Sequence, residues 1–175
     1  MDEAGNFDVG VATSPDANSA FWNAGKLAFI EKDKGFSMSY TPWLAKIIND
    51  MYLFHISGFY KLDRVQTFGA SMKYFDLGEV TFTSGNNTII SEYNPREFAI
   101  DFTYSRLLTE HLSVGTTLRY IHSNLTGSLI TNNQESRPGR SVAADIGVYY
   151  TKPIETRNAT LTLGANISNV GTKIS

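Results

Sequence analysis

The sequence predicts an all-β protein, a transmembrane antiparallel up-and-down β-barrel, on three observations. Segments with large apolar residues at every second position recur along the chain. Several run to about ten residues or more, the length of a tilted membrane strand and longer than the usual ~5–6 of soluble sheets. The connections between them alternate short and long, as do the periplasmic turns and extracellular loops of outer-membrane barrels.

Seven segments carry the pattern. From Gly35 to Pro42, Phe36, Met38 and Tyr40 alternate with Ser37 and Ser39. From Met51 to Leu62, Tyr52, Phe54, Ile56 and Tyr60 share one face. From Val65 to Leu77, Phe68, Ala70, Met72 and Tyr74 oppose Thr67, Gly69, Ser71 and Lys73. The fourth, "EFAIDFTYSRL" from Glu97 to Leu107, sets Phe98, Ile100, Phe102 and Tyr104 against Ala99, Asp101, Thr103 and Ser105. Leu112 to Ser123 sets Leu112, Val114, Leu118 and Tyr120 against Ser113, Gly115, Thr117 and Arg119. Ser141 to Tyr150 sets Val142, Ala144, Ile146 and Val148 against Ala143, Asp145 and Gly147. Ala159 to Asn169 sets Leu161, Leu163, Ala165 and Ile167 against Thr160, Thr162, Gly164, Asn166 and Ser168.

Alternation alone fits a soluble β-sandwich as well. What favours lipid is the company the apolar residues keep. The opposite faces hold Gly, Ser, Thr, Asp, Lys and Arg, and Trp43, Tyr60, Tyr74, Tyr120, Tyr149 and Tyr150 lie near strand ends, as interfacial girdles do. The connections "LDRV" and "LTEH" are tight and Lys152–Asn158 is a medium turn, all assigned to the periplasmic side. Pro42–Asp50, Gly78–Arg96 and Asn124–Arg140 are assigned outside the cell. Seven strands are an odd number and an open edge cannot face lipid, so the expectation is part of a larger barrel. Residues 1–34 are not strand-like throughout and read as an N-terminal plug or lead-in, leaving 35–175 as a partial barrel.

Composition removes several alternatives. Charged residues are 18% and the formal net charge is -2, with no basic patch, which argues against nucleic acid. Without cysteine there is no disulfide, thiolate nucleophile or zinc–thiolate site. The start, "MDEAGNFDVG", lacks the apolar run of a signal peptide. No window approaches the ~18 apolar residues of a spanning helix, a test to which barrel strands are blind.

Few side chains suggest chemistry. His122, Ser123 and Asn124 are adjacent, but neighbours on a strand point to opposite faces, so His122 and Ser123 are not expected to touch. His111 falls in a turn and is expected to be solvated. His55 falls on the face opposite Tyr52, Phe54 and Ile56. No histidine pair has metal-ligand spacing, and no cofactor is expected. Lys73, Asp101, Arg119 and Asp145 fall on the polar faces of four strands, where they would fill the lumen as a self-balancing charge network, line a path or hold a plug. An arginine at Ile100 is expected to harm insertion far more than one at Thr103. Gly69, Gly115, Gly147 and Gly164 sit inside strands, where glycine permits bends and close approach. In "TPWLAKIIND", Trp43, Leu44, Ile47 and Ile48 recur at helical spacing and read as a partner-binding loop, or as an aromatic anchor over the barrel mouth.

The chain also resembles a known family. "DVGVATSPDANSAFWNAGKLAF", "GFSMSYTPWL", "YKLDRVQTFGASMKYFDLGEVTFT", "YNPREFAIDFTYSRLL", "LRYIHSNL", "SVAADIGVYY" and "ANISNVGTKIS" are similar, in this order, to PorV proteins of the type IX secretion system. The resemblance runs from about Asp8 to Ser175. It implies a FadL-like outer-membrane barrel of 14 strands, of which this chain would cover the N-terminal half. It implies a non-enzymatic protein that takes secreted cargo from the translocon to a cell-surface attachment complex. Its partners would be the type IX translocon barrel, the sortase-like PorU protein, cargo C-terminal signal domains, and the outer-membrane lipid and lipopolysaccharide around it. One departure stands out: the family's "NPA" turn after the tryptophan is here Asn23, Ala24 and Gly25, without the proline that would fix φ. A FadL-type transporter of hydrophobic small molecules is the second reading. A soluble β-sandwich binding module is the third, separable by detergent dependence.

Overall fold

The computed structural model describes residues 10–42, 51–83, 85, 89–125, 130–131, 134–135 and 138–173. After two short helical turns and one helix turn come strands β1 (Lys34–Pro42), β2 (Met51–Lys61), β3 (Gln66–Leu77), β4 (Val80–Thr83), β5 (Ile89–Tyr93), β6 (Arg96–Leu107), β7 (Leu112–Asn124), β8 (Ile130–Thr131), β9 (Gln134–Glu135), β10 (Gly139–Ile154) and β11 (Ala159–Gly171). Seven form one antiparallel sheet in the order β1-β2-β3-β6-β7-β10-β11, so each pairs with its neighbour in the up-and-down series. The sheet is open within this chain, with β1 and β11 as its edges. The two long connections, read as loops from the sequence, carry the small hairpins β4–β5 and β8–β9. The medium turn is tighter than expected: β10 continues to Ile154, and a 3-10 turn over Glu155–Arg157 with left-handed Asn158 reverses the chain. No helix among the described residues is long and apolar enough to cross a membrane.

Local chemistry explains the tight turns. Asp63 Oδ1 accepts from the Val65 and Gln66 N–H groups at 2.8 and 2.7 Å, closing the β2–β3 turn. The Val65 N–H bonded to it holds the Asp63 carboxyl below the usual carboxylate range. Thr109 Oγ1 does the same between β6 and β7, accepting from His111 and Leu112 N–H at 3.2 and 3.0 Å.

The two faces of the sheet have reversed polarity compared with a soluble protein. The apolar face is uncovered: Phe36 is 83%, Phe102 65% and Ile167 67% exposed. On the other face Thr67, Ser105, Ser113 and Thr117 are fully buried. On β6 the outward row Phe98, Ile100, Phe102 and Tyr104 is bracketed by exposed Arg96 and Arg106. Those arginines stand ten positions apart, so ~33 Å along the strand. At a barrel tilt of ~40° this is ~25 Å of height, the thickness of a lipid-facing apolar band. Outward aromatics pair near its borders, as Phe68 with Tyr104 (ring centroids 5.2 Å), Tyr40 with Tyr52 (5.5 Å) and Phe98 with His122 (5.0 Å). Tyr149 is a correction: it is 3% exposed and faces inward, with its hydroxyl donating to the Thr13 carbonyl at 3.2 Å. As an odd-numbered residue of β10 it shares the face of Asp145 and Gly147, so it cannot join a girdle.

Residues 10–30 pack on the inner face. Here lies the only cluster of buried large apolar residues among the described ones: Leu27, Ile30 and Phe59, with Ala17 and Ala20 against it. Close approach is possible because the strands present bare glycines. A Cβ on Gly115 would run into the Ala24 carbonyl, and one on Gly147 into the Asn23 amide. Gly69 lies under Leu27 and Gly164 under Val11 in the same way.

Two predictions follow from the faces. Phe102→Arg should cost ~2–4 kcal/mol of membrane folding free energy while Ala99→Gln, on the inner face, costs little, as read by urea titration in vesicles. Thr103 is a poorer inward site than the sequence implied, because it is 3% exposed and bonded to Thr117 Oγ1 at 2.9 Å. Gly115→Val should destabilise by ~1–3 kcal/mol through overpacking against the N-terminal segment, whereas Gly58→Ala, whose added methyl meets only ordinary van der Waals contacts on the outer face, should be neutral in the same titration.

Candidate functional site

The inner face is where polar chemistry gathers, in two tiers. The lower tier is a seat for the N-terminal segment. Asn23, fully buried, donates from Nδ2 to the Val148 and Val11 carbonyls at 2.9 and 3.1 Å, while its Oδ1 accepts from Gly25 N–H at 2.9 Å. That last bond caps the 3-10 turn Ala24–Phe29. The turn therefore forms without the missing proline, its start fixed by a side chain rather than by a ring. Ser105 and Ser113, on β6 and β7, both donate to the Gly25 carbonyl, at 3.1 and 2.6 Å, and Ser105 Oγ accepts from Ala28 N–H at 3.2 Å. Lys26 is fully buried and its ammonium donates to the Gly10 carbonyl and Thr13 Oγ1, each at 2.8 Å, tying the segment to itself.

The upper tier is ionic. Arg119 on β7 meets Asp101 on β6 with Nε to Oδ1 at 2.8 Å and Nη2 to Oδ2 at 3.1 Å, a two-pronged pair. Its Nη2 also lies 3.2 Å from Asp145 Oδ2 on β10. Its Nη1 donates to Asn169 Oδ1 at 2.7 Å. The side chains of Arg119, Asp101 and Asp145 are 11%, 6% and 4% exposed, so each charge depends on the others for solvation. Lys73 sits outside this set, with Nζ 3.2 Å from the Phe21 ring centroid, a cation–π contact between β3 and the N-terminal segment. Above it, a cavity of about 480 Å3 is walled by Leu53, Phe75, Ala99 and Ile121 beside Lys73 and Arg119.

Asn169 could not be read from the alternation. A bulge lies between Ala144/Val170 and Ile146/Ile167, so Ser168 and Asn169 both face Asp145. Asn169 takes φ 59°, and its N–H donates to Asp145 Oδ1 at 2.6 Å. The available signal was the residue type, because asparagine tolerates the left-handed region.

The other candidates separate. His122 points outward and stacks on Phe98, while Ser123 points inward and donates to Glu97 Oε1. His55 faces inward beside Lys73 in register, and its buried Nε2 has no hydrogen-bond partner among the described residues. His111 is half-buried against Tyr150, with ring centroids 6.3 Å apart, rather than fully solvated. Trp43, Leu44, Ile47 and Ile48 lie outside the described residues. Among the described residues no group of His, Cys, Asp and Glu could hold a metal.

An up-and-down sheet that is apolar outside, polar inside and seated on its own N-terminal segment has the construction of an outer-membrane β-barrel wall. The chain belongs to the PorV family: the family model for the type IX secretion system protein PorV matches residues 2–175. It is thus an outer-membrane component of that secretion system, in a family not known for enzymatic activity. No curated protein matched the chain.

The ionic tier gives a stability prediction. Arg119→Gln leaves Asp101 and Asp145 buried together with no cation in contact and should destabilise by ~3–5 kcal/mol. Arg119→Gln combined with Asp101→Asn should recover much of that loss. Equal destabilisation by the single and the double variant, in urea titrations, would refute the pairing.

Proposed function

We propose that this protein is a multi-pass wall of the type IX secretion machinery that binds cargo at the translocon and delivers it to the attachment complex at the cell surface. It acts by binding and not by catalysis. Family membership supports the system. The observation that carries the membrane assignment is the uncovered apolar face over a buried polar one. In this reading the short turns are periplasmic, residues 1–34 form a plug inside the wall, and Lys73, Asp101, Arg119 and Asp145 are luminal charges. The contact surface for the translocon, the sortase-like PorU protein or cargo signal domains is the loop carrying Trp43, Leu44, Ile47 and Ile48, whose apolar spacing on an otherwise polar connection marks a binding strip.

A FadL-type uptake role is favoured by one observation, the inner cavity of about 480 Å3, whose walls are mainly apolar with Lys73, Glu97 and Arg119 among them. Gene deletion separates the two: the secretion role is sunk if cargo still reaches the surface while uptake of an apolar nutrient is lost. Trp43→Ala should leave the protein in the outer-membrane fraction yet reduce co-purification of translocon or cargo several-fold, measured by pull-down from intact membranes.

A further inference from the structure

We infer that the outer face holds a specific glycerophospholipid, taken from the leaflet on the side of the short turns, in a pit between β1 and β6. The inference rests on the reading that this face meets hydrocarbon. In register across β1, β2, β3 and β6 stand Phe36, Gly58, Ala70 and Phe102, a large–small–small–large row. The row above, Met38, Ile56, Met72 and Ile100, and the row below it, with Tyr60, Phe68 and Tyr104, close the depression at both ends. The result is an almost wholly apolar concavity of about 790 Å3, within the ~300–1,000 Å3 of small-molecule sites.

Depth and charge choose the occupant. Arg106 and Phe102 are four positions apart on β6, ~13 Å along the strand and ~10 Å in height at ~40° tilt. That lies within the ~15 Å that one leaflet contributes to a ~30 Å hydrocarbon core. Arg96, at the opposite border, is six positions from Phe102, so ~15 Å in height, the full depth of its leaflet. An acyl chain therefore reaches the pit more readily from the Arg106 side. On that side the exposed cations Lys34 and Arg106 flank the pit, three strand spacings apart and offset by two residues along the strands, so ~16 Å from each other. Neither forms an ion pair among the described residues. Asp63, the acidic group acting on Arg106, is engaged by the Val65 and Gln66 N–H groups and by Gln66 Nε2 at 2.6 Å. The two cations are thus available to a phosphate, while the pit takes the chain. The Arg106 side is the leaflet of ordinary phospholipid, so lipopolysaccharide is the competing occupant.

The test is native mass spectrometry of the full chain in detergent, with dioleoyl phosphatidylethanolamine added at equimolar and tenfold ratios. The wild type should retain one lipid under activation that strips the rest. Ala70→Phe, which fills the pit, should lower that retained fraction about tenfold, and Lys34→Gln with Arg106→Gln should lower it several-fold. Ala165→Phe, equally outward but on β11, should leave it unchanged. Heat-modifiable electrophoretic mobility reports folding for each variant, and the rim variants carry the test if Ala70→Phe does not fold. Undiminished retention in folded Ala70→Phe or in the rim variant, or retention of lipopolysaccharide in preference to phospholipid, overturns the proposal alone. A full chain that stays monodisperse in plain buffer overturns the membrane reading and this proposal with it.

Discussion

Every residue of the main sheet has to satisfy one of two solvents, and the strand period of two leaves no room for compromise. Side chains at even positions of β6 meet an environment that accepts Phe102 at 65% exposure, while those at odd positions must find hydrogen-bond partners within the protein. The remainder of the architecture answers this constraint. Ladder bonds satisfy the backbone, Thr103 and Thr117 satisfy each other, and Ser105 and Ser113 spend their hydroxyls on one carbonyl of the N-terminal segment. Among the described residues, burial of large apolar side chains is reduced to a small cluster around Leu27 and Phe59. Cohesion inside comes from polar groups, the opposite of a soluble sandwich, where the same alternation would turn Phe98, Ile100 and Phe102 toward a second sheet.

The N-terminal segment and the sheet are matched at the level of missing atoms. Backbone freedom is not what the strand glycines supply, since among the described glycines only Gly78 has positive φ. They supply absence: no Cβ stands between β7 or β10 and the turn at Asn23–Gly25. Asparagine at the start of that turn then does two jobs, capping the turn and reaching the Val148 carbonyl of the wall. The cation–π contact between Lys73 and Phe21 adds a third kind of attachment. Close packing, side-chain hydrogen bonds and charge thus act on one short stretch, which fixes its position more firmly than any one of them would.

Strand positions and faces were legible in the sequence because large-small alternation over ten or more residues admits one periodicity. Boundaries slipped where ends carry small or polar residues, as with Gly139–Arg140 and Lys152–Ile154 of β10. The inner faces of Lys73, Asp101, Arg119 and Asp145 followed from the same parity. That Arg119 would bind both aspartates while Lys73 turned to Phe21 did not, because parity says nothing of which neighbour lies across the ladder. Tyr149 was misread because aromatic type was allowed to override position. Ser105 and Ser113 gave no local signal, since the Gly25 carbonyl they bind is 80 and 88 residues away, and Asn23 was legible as a turn residue but not in its reach to Val148, 125 residues on.

The bulge at Ser168–Asn169 has a consequence beyond placing one amide. Past it, the in–out parity of β11 is inverted, and Val170 rather than Asn169 faces outward at 63% exposure. A strand laid along the free edge of β11 would have to slide by one residue to keep its own apolar side in hydrocarbon. In a closed cylinder that slide enters the stagger that fixes strand inclination and girth. A single left-handed asparagine would thereby help set how wide such a cylinder is.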